Sequence, residues 1–241
     1  MYSKSPPTAT LLLTLALAAC SSALPWQNEP IGQEVNVAFT VRKNLVVLPS
    51  VTIDGRSGRF LLGTAEQRTV VDAHYAPTPA PGRSALRLNQ REALQFTPVV
   101  ADLRGVADAI VGADVWGRNA ITIDYRAGLL TFSRLGVERS GMTVFPFAAE
   151  PMINVTVDGR SVAAIVDTTS PDTLVLPRGT AAAGRRTAHL VVGGTDFGNV
   201  DVLFTDVAQP RAGNRVLSKF LVAIDYGRKQ VGLWRDPRTA L

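Results

Sequence analysis

Cysteine is nearly missing from this chain: there is one in 241 residues, at position 20, accompanied by only two histidines. That excludes a disulfide framework and leaves too few soft ligands for a structural zinc site. No cofactor and no metal is expected, so any hard chemistry falls to carboxylates and hydroxyls. Charged residues are also sparse, at 19%, and aromatics make up 7%. The net charge of +5 comes largely from arginines scattered through turns and strands, with no basic stripe or aromatic-and-basic platform. A nucleic-acid partner is therefore not expected. What is plentiful is apolar residues, at 46%, and turn formers, with 20 Gly and 15 Pro. Such a composition packs a core and turns often.

One apolar run, from Leu11 to Ala19, follows Lys4 near the N-terminus and closes on Leu17-Ala18-Ala19-Cys20. It is too short to cross a bilayer and has the length of a secretory signal core. Its end resembles the bacterial lipobox, which implies that residues 1–19 are a cleaved lipoprotein signal peptide and that Cys20 carries the lipid. Ser21 stands where an inner-membrane retention signal usually has Asp, so the resemblance implies outer-membrane anchoring, facing the periplasm of the bacterial cell envelope. The membrane is then touched through the lipid anchor only. Residues 20–33, rich in Ser, Pro, Gln and Asn, read as a tether.

The body is written twice. Val51-Thr52-Ile53-Asp54-Gly55-Arg56-Ser57 returns 104 residues later as Val155-Thr156-Val157-Asp158-Gly159-Arg160-Ser161. At the same offset Thr64, Thr69 and Val71 meet Thr168, Thr173 and Val175. After a three-residue shortening of the second copy, Gly112 falls on Gly213, and Ile121-Thr122-Ile123-Asp124-Tyr125 on Val222-Ala223-Ile224-Asp225-Tyr226. Two such copies predict two similar lobes, residues 34–135 and 142–236, rather than a solenoid of many short units. In each, short runs of Val, Ile, Leu, Thr and Phe alternate with Asp-Gly and Gly-Gly signals. These runs predict an all-β architecture with hairpins at Asp54-Gly55 and Asp158-Gly159. Single helical turns are expected only near Asp114–Gly117 and Arg215–Lys219.

The second copy carries Ile165-Val166-Asp167-Thr168-Thr169-Ser170, then Leu174-Val175-Leu176-Pro177, and closes on Ile224-Asp225-Tyr226. By itself, an Asp ending an apolar strand reads as a strand-to-loop turn. The whole pattern resembles the pepsin and retropepsin superfamily of aspartic proteases. That resemblance implies two lobes about a pseudo-twofold axis, each contributing an Asp-Thr-Gly turn to a cleft. Two carboxylates are needed there because one must be ionised to activate water while the other stays protonated.

The sequence departs from that pattern at the decisive place. Asp167 falls on Gly63, in Leu62-Gly63-Thr64-Ala65, so only one candidate catalytic residue remains and the paired dyad is expected to be broken. The third position is Ala65 in one copy and Thr169 in the other. A side chain there is expected to obstruct the approach of substrate and water. Thr64 and Thr168 survive, and the resemblance implies that their hydroxyls bond across the axis. Arg211-Ala212-Gly213 does not suit the apolar-apolar-Gly segment that Ile110-Val111-Gly112 matches, and the spacing leaves little chain for a long flap. The expected activity is that of an impaired endopeptidase homologue. Its cleft, lined by Thr64, Ala65, Thr168, Thr169 and Ser170, would hold an extended peptide or an envelope protein. The alternatives are an endopeptidase active through homodimerisation and a structural envelope lipoprotein. His74, His189, Asp124 and Asp225 read as turn or strand-end residues, and Trp116 and Trp234 as core. Asp72 and Asp172 do not correspond by repeat, so neither replaces the missing acid.

Overall fold

The computed structural model describes residues 34–75, 82–117, 119–137 and 140–236. The leader, Cys20 and the tether lie outside the described residues. Among those described, no helix is long and apolar enough to cross a membrane. The chain is almost entirely strands, with two four-residue helices at Ala113–Trp116 and Asn214–Leu217, both within a residue or two of the expected turns.

Repetition in sequence becomes symmetry in backbone pairing. A six-stranded sheet takes Glu34–Ala38, Leu129–Ser133 and Ala120–Asp124 from the first copy, then Leu221–Asp225, Gln230–Trp234 and Thr143–Pro146 from the second. Its two halves meet where Ala120–Asp124 runs antiparallel to Leu221–Asp225, with Thr122 opposite Ala223, Ile121 opposite Ile224 and Ile123 opposite Val222. Thr122 and Ala223 are repeat counterparts, so the pseudo-twofold axis passes between them. Ile121, Ile123, Val222 and Ile224 are completely buried. Each such side chain contributes about 1.5–3 kcal/mol by leaving water.

Around this shared sheet each copy builds its own lobe. In the first, Val99–Ala101, Val70–Asp72, Ala109–Val111, Phe60–Leu62, Leu45–Val47 and Thr40–Arg42 form one sheet in that order. Arg56–Ser57, Thr52–Ile53, Ser84–Arg87 and Ala93–Phe96 form another. In the second, Met152–Val157, Arg160–Val166, Arg211–Ala212, Leu174–Pro177, Thr195–Thr205 and Gly184–Val192 close into a barrel. Only six residues join Leu174–Pro177 to Gly184–Val192, too few to raise a flap hairpin over the cleft from this lobe.

The two Asp-Gly turns are superposable in kind. Asp54 and Gly55 have φ of 51° and 78°, Asp158 and Gly159 of 48° and 78°, the left-handed pair that a tight hairpin between right-twisted strands demands. Asp is chosen for more than its tolerance of that conformation. Asp54 Oδ1 accepts the Ala85 N–H at 2.8 Å, and Asp158 Oδ1 accepts that of His189 at 2.9 Å, tying each turn to the next hairpin of its lobe. Asp124 and Asp225 likewise accept backbone N–H groups of the turns that follow them. Trp116 is fully buried as expected, but Trp234 is 39% exposed, because the last strand turns that position outward.

Candidate functional site

Each lobe ends one buried strand in a tight loop at the lobe boundary. Phe60–Leu62 runs into Gly63-Thr64-Ala65-Glu66, and Arg160–Val166 into Asp167-Thr168-Thr169-Ser170. Backbone bonds hold both loops alike. Gly63 N–H donates to Val111 O and Asp167 N–H to Ala212 O, both at 2.9 Å. Ala113 N–H donates to Glu66 O at 2.8 Å, and Asn214 N–H to Ser170 O at 2.9 Å. The strands that receive these bonds end in Gly112 and Gly213, where no side chain fits. A Cβ on Gly213 would stand 2.3 Å from Asp172 O, and one on Gly112 2.5 Å from the Arg68 carbonyl carbon.

Thr64 and Thr168 meet at the axis, completely buried. Each N–H donates to the other's Oγ1 at 3.1 Å. Thr64 Oγ1 donates to Val166 O and Thr168 Oγ1 to Leu62 O, both at 2.5 Å, and the two hydroxyl oxygens stand 3.3 Å apart. Each hydroxyl thereby donates one bond and accepts one across the lobe boundary. A second interlobe knot was not legible in the sequence. Asn214 Nδ2 donates to Thr168 O at 2.7 Å and to Asn44 O at 2.6 Å, its Oδ1 accepts the Tyr125 hydroxyl at 2.7 Å, and Asn44 Nδ2 donates to Pro171 O. Burial pushes the Tyr125 phenol well above its ordinary value, so it stays a donor. Burial likewise pushes the Tyr226 phenol, beside Trp116 and Thr64 O, up to about 12.

Directly after these loops the lobes differ. Asp167 is buried, its side chain 3% exposed, and both oxygens are occupied. Oδ1 accepts the Thr169 N–H at 2.8 Å and the Thr169 hydroxyl at 2.6 Å. Oδ2 is 2.8 Å from Arg211 Nη1. Thr169, expected to obstruct the approach, in fact also grips the carboxylate. In the first lobe the counterpart of Arg211 is Ile110, and the counterpart of Asp167 is Gly63. A Cβ on Gly63 would stand 2.5 Å from Ile110 Cγ2 and 3.0 Å from Glu66 Cγ. The sequence's apparent mismatch is thus a matched exchange: an apolar contact, Gly63 with Ile110, in one lobe and an ion pair, Asp167 with Arg211, in the other.

Glu66, the repeat counterpart of Ser170, is a residue that the sequence reading missed. Its side chain covers Gly63 and its carboxyl is half-buried near Asp167. Burial raises its pKa above the ordinary carboxylate value, the charges of Asp167 and Glu150 add to the rise, and Arg211 opposes it. No ion pair or hydrogen bond holds that carboxylate among the described residues. The other acids are otherwise engaged. Asp172 pairs with Arg185 at 2.6 Å. Asp72, His74 and Asp102 gather their ligand atoms within 4.8 Å of one another. There, however, Asp72 Oδ2 accepts the Leu103 N–H and Oδ1 that of His74, which hold its pKa low and mark a turn cap. His189 bonds Asp196 at the surface.

No family model matches the chain, and no curated protein matches it. By shape it is similar to the crystal structure of an aspartic proteinase from Irpex lacteus, with a TM-score of 0.55 and 13% identity, covering 85% of this chain and 98% of that one. The fold is the two-lobed, all-β fold of the pepsin-like aspartic proteases.

Proposed function

We propose that this chain is an exported, lipid-anchored protein of the bacterial envelope that uses an acid-protease scaffold to bind extended peptide segments without cleaving them. The observation that carries this reading is the Asp167–Arg211 pair. A hydrolytic dyad needs a carboxylate free to hold and deprotonate a water against a second acid. Asp167 offers no free oxygen, and position 63 offers no side chain. For homodimerisation to repair this, a second copy would have to displace the bonds that Asp167, 3% exposed, makes with Thr169 and Arg211 of its own chain.

What remains is a surface for β-augmentation. Thr40–Arg42 is the edge of a first-lobe sheet, all three residues exposed, and nothing among the described residues pairs with its outer side. Its hairpin ends at Asn44, bonded to the Asp167 loop's neighbours. A strand added to that edge would gain affinity from main-chain bonds and specificity from alternate side chains. Incubated with a diverse peptide mixture from pH 3 to pH 7, the purified protein is expected to retain peptides and cut none. Cleavage that disappears in Asp167→Asn would sink this reading.

Restoring the missing acid is also informative. Gly63→Asp is expected to cost about 1–3 kcal/mol in a urea titration, because Ile110 is β-branched and its methyl cannot swing aside freely. It is expected to gain no peptidase activity, since Arg211 still holds Asp167. Acid proteolysis by the single variant contradicts that role for Arg211.

A further inference from the structure

The outer side of the edge strand Thr40–Arg42 is shaped by what stops just before it. Leu129–Ser133 pairs antiparallel with Glu34–Ala38 as far as Leu129 opposite Ala38, and the Phe39 N–H still donates to Gly128 O at 2.8 Å. There the covering chain turns away, and the next outward-facing residue is Val41. The register settles its direction. Arg42 and Leu45 flank a two-residue turn, Lys43-Asn44, with φ of 52° and 60°, and exchange both ladder bonds. Val41, opposite Val46, therefore turns its N–H and C=O away from Leu45–Val47. No described residue bonds them. Val41 is 45% exposed although Val46 opposite it is completely buried. The strand is held at both ends, by the Phe39 bond and, at the turn, by Asn44 O, which accepts Asn214 Nδ2 at 2.6 Å. An added strand thus meets a preformed edge and orders little of the protein in docking.

Charge at this edge is of one sign. Arg42 is exposed, exposed Lys43 follows it in the turn, and among the described residues neither side chain has an ion pair or a hydrogen bond. We propose that Thr40–Arg42 selects acidic strands: extended segments in which an Asp or Glu adjoins an apolar residue. The apolar residue sits directly opposite Val41, exchanging both main-chain bonds with it and laying its side chain on the valine. Its acidic neighbour falls on the other face, across from Arg42, because successive side chains of a strand alternate. There the carboxylate meets a guanidinium that no acid of the chain already holds. The inference rests on the peptide-binding reading and adds to it the class of peptide.

Immobilised wild type and Arg42→Glu are offered three pools of N-acetylated, C-amidated peptides at pH 7, alike except that the residue next to a central Val is Glu, Gln or Lys. The wild type is expected to hold the Glu pool about 2- to 5-fold more tightly than the Gln pool, the worth of one cross-strand ion pair, and the Lys pool least. Arg42→Glu is expected to reverse that order. Reversing one charge takes the net charge only from +5 to +3, so attraction by overall charge alone would keep its sign. N-methylation of the central Val is expected to loosen retention by about 5-fold or more, since it removes the donor to Val41 O. Equal retention of the three pools by the wild type overturns the selection and leaves the peptide-binding reading standing. The same order in both proteins, or indifference to the methyl group, overturns the assignment to this edge. Sedimentation as a dimer that Arg42→Glu dissociates gives the edge to a second copy and overturns the proposal. No retention of any pool by either protein overturns both the proposal and the reading beneath it.

Discussion

Arg211→Ile, which gives the second lobe the residue of the first, is expected to destabilise the protein by about 3 kcal/mol at neutral pH. The variant looks conservative by repeat, since Ile110 occupies the counterpart position without difficulty. Ile110, however, covers a glycine, whereas Arg211 neutralises a carboxylate that is 3% exposed. Removing one partner of a buried pair costs about 3–5 kcal/mol because the other is left charged and desolvated. The value sits at the lower end because the Arg211 side chain is itself 36% exposed. Asp167→Asn combined with Arg211→Ile is expected to recover most of the loss, since the amide oxygen still accepts from Thr169 and no charge is stranded. Urea titrations of the two single variants and the double close the cycle. If the double variant costs the sum of the singles, the ion pair is not the reason.

A comparable loss is expected at the axis. Thr168→Val keeps the shape of the side chain but deletes the acceptor of the Thr64 N–H and the donor to Leu62 O, both in a completely buried setting. An unsatisfied buried group costs about 1–3 kcal/mol, so the two together should lower stability by about 3 kcal/mol. Thr168→Ser, which keeps the hydroxyl and loses only a methyl, should lose about 1 kcal/mol. Denaturant midpoints of the two variants separate hydrogen bonding from packing. Equal losses in both would mean that the methyl, not the hydroxyl, holds the lobes together.

The duplication made the fold legible. Once Val51–Ser57 is seen again at 155–161, the paired lobes and both Asp-Gly hairpins follow from the register, and the resemblance to the aspartic proteases adds the meeting of Thr64 with Thr168. The same register put Gly63 opposite Asp167. It was silent on how each lobe adjusts to what it has, because the compensating residues lie far off in sequence. Arg211 reaches Asp167 over 44 residues, through a parallel pairing of Ile165 with Arg211 that no local pattern announces. It therefore read as a flaw in a motif. Glu66 could not be found from the repeat at all. Its counterpart is Ser170, and its position matters only because the residue beneath it has no Cβ. Asn44 and Asn214 were hidden for a simpler reason: an amide in a loop becomes a clasp only when two lobes close on it.

The central sheet has a consequence for how the chain must be written. Each half brings three strands in inverted order, and the join is the backbone ladder at Thr122 and Ala223, not the peptide that leads from Ser133 to Thr143. The covalent link therefore raises the local concentration of one half near the other but adds nothing to the pattern they form. The order of the halves along a gene is incidental, and the same architecture is open to a circular permutant or to two complementing fragments.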